Sequence, residues 1–195
     1  MWPIQMDEFT SAEDSLAAAI QVVTAIGPDD LQRRTPCGEW DVAALADHLI
    51  DTISRLGAAA GTQTDPLNGG SIDQHIQQVT QPILTEWRRR GLTDDVEFSG
   101  RRLPARLALG ILSLELVVHG WDFAVALRRP FHVTDAHAAH VLNLAQKTLT
   151  PESRITAGFE PAVPMSTDAS ALDQLIAFTG RNPRGRGDHR MDCGA

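Results

Sequence analysis

The run LALGILSLELVVHGWDFAVAL, residues 107–127, constrains this chain more than any other stretch. It is apolar almost throughout, and only a core helix or a membrane span takes that much greasy sequence in one piece. Glu115 and His119 interrupt it, so no uncharged run reaches the length of a bilayer and no membrane partner is expected. A core helix then has to carry a carboxylate inward. Burying an unpaired carboxylate is costly, so Glu115 must be neutral, paired or bound to a metal.

Helical periodicity dominates the rest of the chain, and alternating strand patterns are almost absent. A first helix is expected from Thr10, where Glu13 three residues later has the form of a capping box, with Leu16, Ala19, Ile20 and Val23 as its stripe. Gly27-Pro28 ends it. Asp41 caps a second helix that places Val42, Leu45, Leu49, Ile53 and Leu56 on one face. After the loop GTQTDPLNGGS, a third helix runs from about Ser71 through Ile72, Ile76, Val79, Ile83 and Trp87, kinked at Pro82. A short extended piece is expected around Val96 to Phe98, and Pro104 suits the first turn of the fourth helix. Thr134 or Asp135 opens a fifth helix through His140, Leu144 and Leu149. PESRITAGFEPAVPMS reads as a loop, and DASALDQLIAFTG as a last helix stopped at Gly180. The pattern predicts an α-helical bundle core over 1–130, a C-terminal helical extension over 131–183 and a frayed tail over 184–195.

The net charge of -8 argues against nucleic acid as a partner and favours a monomer or homodimer. Arginines nonetheless cluster in WRRRG, GRRLPAR and GRNPRGRGDHR, so a local anion site is compatible with an acidic chain. Two cysteines, Cys37 and Cys193, imply no disulfide framework. No secretory pattern opens the chain, which makes the cytoplasm the expected compartment.

Glu115 and His119 are four residues apart, so on a helix they share a face, and Leu112, Leu116 and Phe123 make that face the inner one. A local pair stabilising one helix accounts for that spacing as well as a functional pair does. His48 lies on the edge of the second helix's apolar stripe. In one bundle, His48, Glu115 and His119 can converge, and three N/O ligands with an open position make the pattern of a catalytic metal site. Zinc suits this donor set best, with iron, nickel and cobalt as alternatives.

Three motifs carry a family resemblance. RTPCGEWDVAALADHLID resembles the entry to the second helix in the DinB-like metalloprotein superfamily, in the actinobacterial branch that includes mycothiol-dependent maleylpyruvate isomerase. LELVVHGWDFAVAL is similar to that branch's second motif, and FEPAVPMSTDASALDQLIAFTGRNP to the C-terminal motif of a small metal-binding subgroup. The resemblance implies an all-α, up-down-down-up four-helix bundle holding one divalent metal on His48, Glu115 and His119. It also implies thiol chemistry: mycothiol, activated by the metal, attacks a small-molecule electrophile, as an S-transferase or an isomerase. The isomerase itself has a further C-terminal domain, which a chain of this length is not expected to include in full, so its substrate does not carry over. A non-catalytic helical binding protein and a thiol-independent metalloenzyme are the competing readings.

Four further residues are candidates for the thiol's polar groups or the metal's surroundings. Arg101, Arg102 and Arg106 stand at the start of the fourth helix, where a rim contact competes with plain solvation of a helix end. Asp122 follows His119 by three and can accept a hydrogen bond from it, or make a structural bond to backbone or Trp121. Trp40 and Trp121 read as core or pocket wall, Cys37 as a small hydrophobe, and His132, His137 and His140 as surface residues. His189 and Cys193 lie in the tail with no rigid frame.

Overall fold

A computed structural model describes residues 6–38, 40–64, 69–157 and 159–184. The tail residues His189 and Cys193 lie outside the described residues. The fold is all-α apart from one hairpin.

Helix α1 spans Glu8–Val23 and starts one turn earlier than the sequence suggests. Two cap signals overlap there, and Asp7 wins: its carboxylate accepts from the Thr10 amide at 2.7 Å. Glu13, no longer needed for capping, pairs instead with Arg88. Helix α2, Val42–Ala60, is capped by Asp41 as expected, with the Ala44 amide donating at 2.9 Å. Helix α3, Ile72–Arg90, starts at Ser71 with a capping box to Gln74 and continues through Pro82.

Strand β1, Asp95–Phe98, pairs antiparallel with β2, Arg101–Pro104, which the sequence reading missed. The turn between them puts Ser99 and Gly100 at φ +50° and +72°. Pro104 ends β2 and caps helix α4, Ala105–Ala126, rather than sitting in its first turn. Helix α5, Asp135–Thr148, is capped by Thr134. PESRITA folds as a short helix α6, Pro151–Ala157, where a loop was expected. Helix α7, Ala171–Phe178, starts at Ser170 and is followed by Gly180 at φ +90°.

Pairings between the helices fix their directions. Glu8 faces Arg106, and Ser11 donates to Ser113, so the N-terminal halves of α1 and α4 lie together and the two are parallel. Glu13 near the start of α1 meets Arg88 near the end of α3, which makes that pair antiparallel. Gly57 packs on Ile83 and Gly61 lies beside Glu86, so α2 and α3 end together and run parallel. The connector between them turns back along α2, where Ser54 and Thr64 hydroxyls are 3.3 Å apart. Arg33, ahead of α2, donates to the Ala126 carbonyl at the end of α4, so α2 and α4 are antiparallel. The order is up, down, down, up, as the motifs imply.

Helix α4 is buried along most of its length, from Ala105 to Ala124. It is long and apolar enough to cross a membrane, but 89% of that window is covered by the protein itself, with α1, α2 and α5 packed against it. Gly120 has a specific role there. A Cβ at this position would come within 2.8 Å of the Phe131 ring and 3.4 Å of the Ala19 Cα, so only glycine lets α1 and Phe131 close over this turn.

Candidate metal centre

The turn of α4 that Gly120 makes room for is the one that carries the acid and the imidazole. Glu115 and His119 are 6% and 2% exposed, and both point towards α2. Across the gap, α2 supplies His48, whose side chain is a quarter exposed. His48 Nε2 is 3.7 Å from Glu115 Oε2, and His119 Nε2 is 3.1 Å from the same oxygen. The two imidazoles meet edge to face, with ring centroids 5.2 Å apart. All three residues therefore offer one donor atom each to a common point.

Hydrogen bonding decides what kind of point it is. His119 Nδ1 lies 3.0 Å from Asp122 Oδ2, and an ionised carboxylate only accepts, so Nδ1 carries the proton. In neutral His119 the lone pair is then on Nε2, facing a carboxylate oxygen. Two acceptors at 3.1 Å repel unless a cation sits between them. Glu115 Oε2 is fully buried and has no hydrogen-bond partner, which leaves it as an orphan aimed at that cation. A tetrahedral ion with bonds of about 2.05 Å would separate its ligand atoms by about 3.3 Å. The observed 3.1 and 3.7 Å bracket that value. The residues present fit a divalent metal.

The same charges shape the ionisation of the metal-free protein. Burial works against the charged form of every member. For Glu115 the His119 and His48 imidazoles more than offset it and hold the carboxyl far below its ordinary range. Asp122 is likewise held low, by Arg181 and His119. His119 is raised by Asp122 and Glu115 despite its burial. A proton on His119 Nε2 thus takes the place of the cation, and a metal must displace it.

Beside the two imidazoles opens a cavity of about 220 Å³, walled by Cys37, Trp40, Phe159, Gly180 and Arg181. Trp40, 37% exposed, leans on His48 with ring centroids 4.4 Å apart and forms the cavity's outer wall. Glu115 lies behind the imidazoles, so the side of the cluster that faces the cavity is where a fourth ligand would enter.

Of the other candidates, Asp122 is buried and bonded to His119, and not to Trp121. Arg101, Arg102 and Arg106 do not line the cavity. Arg101 and Arg102 belong to the exposed hairpin, with Arg102 against Asp95, and Arg106 faces Glu8 at the far end of α4. The guanidinium at the cavity is Arg181, which sequence reasoning noted only within the arginine cluster GRNPRGRGDHR and did not single out as a site residue. Cys37 is also a wall residue; burial pushes its thiol up to about 11, only partly opposed by Arg181. His137, expected on the surface, is buried between α1 and α5 with its Nε2 3.0 Å from Ser15 Oγ. The paired hydroxyls of Ser11 and Ser15 were the missed signal.

The family described as "Mycothiol maleylpyruvate isomerase N-terminal domain" matches residues 12–98, a segment that contains His48 and stops short of Glu115 and His119. Two proteins from two strains of Mycobacterium tuberculosis, both titled uncharacterized, are 25% identical over 176 residues, 89% of this chain and 95% of theirs. No solved structure matches the chain. The matched segment holds most of α1, all of α2 and α3 and the first of the three converging side chains, and over it the chain is similar to the mycothiol maleylpyruvate isomerase N-terminal domain family, the DinB-like branch that the motifs resemble.

Proposed function

We propose that this protein holds one divalent cation, zinc by its donor set, on His48, Glu115 and His119, and uses it to activate a low-molecular-weight thiol. The supporting observation is the buried Glu115 oxygen 3.1 and 3.7 Å from two imidazole nitrogens, a placement that is repulsive for neutral His119 unless a cation bridges the two. A cation bound there lowers the pKa of a thiol at its open position, so that the sulfur is nucleophilic at neutral pH.

The chain's own groups do the rest. Glu115 supplies the negative charge that neutralises half of the cation. Asp122 fixes the tautomer and the plane of His119. Cys37, Trp40 and Phe159 exclude bulk water from the reacting sulfur. The cavity is smaller than a pocket that encloses a drug-sized ligand, so it takes the thiol end and a small electrophile while the remainder of the thiol lies outside. The family match makes mycothiol the thiol of choice. The reaction class is thiol addition to an electrophile, with the thiol retained in an S-transferase and released in an isomerase.

The test starts from untagged protein. Elemental analysis should find one zinc per chain, lost in His48→Ala and in His119→Ala. Mycothiol should raise the melting temperature of the metal-loaded protein and leave the metal-free protein unchanged, because only a ligand of the native state shifts it. Stabilisation that survives metal removal would assign the pocket to a binding protein, and turnover without any small thiol would assign it to a thiol-independent enzyme.

A further inference from the structure

The turn that follows α7 reaches the metal centre from behind. Arg181 follows α7, 59 positions beyond Asp122, yet it is only 6% exposed. Its Nε donates to Asp122 Oδ1 at 3.3 Å and its Nη2 to Asp122 Oδ2 at 2.9 Å, a two-pronged grip on one carboxylate. Nη2 also donates to Cys37 Sγ at 3.1 Å, and Nη1 to the Thr179 carbonyl at 3.0 Å. Four of the five guanidinium N–H groups are thereby committed. A guanidinium so engaged acts as a strut and has little left to offer a ligand.

We infer that Arg181 is a positioning residue of the metal centre: by gripping both oxygens of Asp122 it fixes the direction from which Oδ2 accepts the His119 Nδ1 proton, and so aims the His119 Nε2 lone pair at the cation. This inference rests on the metal reading above. Asp122 is wholly buried, and its side chain is bonded to His119 and Arg181. With Arg181 gone, the carboxylate plane is free to turn, and the imidazole turns with it. The backbone is built to deliver the guanidinium there. Gly180 at φ +90° has the Glu160 carbonyl oxygen 2.7 Å from where a Cβ would be, so this bend is closed to any other residue. The C-terminal extension is on this account a working part of the centre and not a cover.

The test compares full-length wild type, Arg181→Met, Arg181→Lys and Asp122→Asn. Zinc affinity is measured by competition with a chromophoric chelator. The ligand-field spectrum of the cobalt-loaded protein reports the geometry, and circular dichroism of the metal-free protein reports the fold. Arg181→Met and Asp122→Asn are expected to fold and to bind zinc 10- to 100-fold more weakly. Their cobalt bands should shift, and Arg181→Lys should fall between them and wild type because an ammonium keeps the charge and loses the fork. Wild-type affinity and spectrum in Arg181→Met would overturn the inference and leave Arg181 a clamp for the fold alone. If Arg181→Met fails to fold, Arg181→Lys and Asp122→Asn decide it, and unchanged affinity in both overturns it. A wild type that binds no zinc overturns the metal reading itself, and this inference with it.

Discussion

Replacing Glu115 by glutamine keeps the shape of the side chain and removes its charge, which separates what the carboxylate does for the fold from what it does for a cation. In the metal-free protein at pH 6, His119 is protonated, because Asp122 and Glu115 raise its pKa. The stabilisation from that pairing is fully present below the ordinary histidine range of about 6.5 and is lost as the pH rises through the raised value. The paired carboxylates, Glu115 and Asp122, have lowered pKa values, so their contribution is present above about 4 and is lost only on acidification. At pH 6 the charge therefore helps the fold, and the glutamine variant should be the less stable protein. Once the pH has passed the raised His119 value the proton has left, and a buried carboxylate faces the His119 Nε2 lone pair. Relieving an unsatisfied buried polar group is worth about 1–3 kcal/mol, and the amide can donate to His119 Nε2 across the same 3.1 Å. For a chain of this length each kcal/mol moves the melting temperature by about 2–4 °C. The variant should thus melt about 2–12 °C above wild type on the alkaline side of the raised His119 value, in chelator, and below it at pH 6. Zinc at a thousandfold excess over the dissociation constant should add about 4 kcal/mol to wild type and much less to the variant. Scanning calorimetry at the two pH values, with and without zinc, reads all of this. A glutamine variant that is less stable at both pH values would refute the reasoning, since Glu115 would then be an anchor for the helices and not an acceptor waiting for a cation.

Gly180→Ala should cost about 2–4 kcal/mol, from the left-handed backbone and from overlap with the Glu160 main chain, which has no flexible end to move aside. Its thermal unfolding in metal-free buffer checks this, and a drop below about 2 °C would show that the bend relaxes freely. Cys37, with its thiol pushed up to about 11, should react with iodoacetamide at pH 8 about a hundredfold more slowly than a free cysteine peptide. Mass mapping of that residue over time checks it, and a peptide-like rate would mean that the cavity wall opens.

Local signals in the sequence were read well, and long-range ones poorly. Asp41 and Ser71 start helices because their side chains satisfy amides three residues on, a relation complete within one turn. Asp7 displaced Thr10 because two such relations compete and the sequence does not say which amide is first in the helix. β2 was invisible because RRLP has no alternating pattern; it is a strand only because Val96 faces Leu103 and the chain has to turn back before α4. PESRITA likewise has too few residues for a periodic stripe. His137 looked like a surface residue because its partners, Ser11 and Ser15, lie more than 120 positions away.

The candidate site shows the same divide, and that explains why the acid Glu115 was legible and the cation Arg181 was missed. Glu115 betrays itself because it breaks an apolar run, where a charge has no local excuse. Arg181 breaks nothing: in FTGRNP it follows a helix stop, the place where a solvated arginine is ordinary. Its burial follows only from Asp122, whose negative charge inside α4 needs a second partner once His119 has taken one lone pair. Counting charges in the core helix would have pointed there. Glu115 and Asp122 carry two negative charges against one histidine on the same helix, so a cation has to arrive from elsewhere in the chain or from solution. Arg181 answers for Asp122, and no side chain among the described residues answers for Glu115 Oε2 with a hydrogen bond. The unbalanced carboxylate is the one that faces His48, which is where a metal would have to sit.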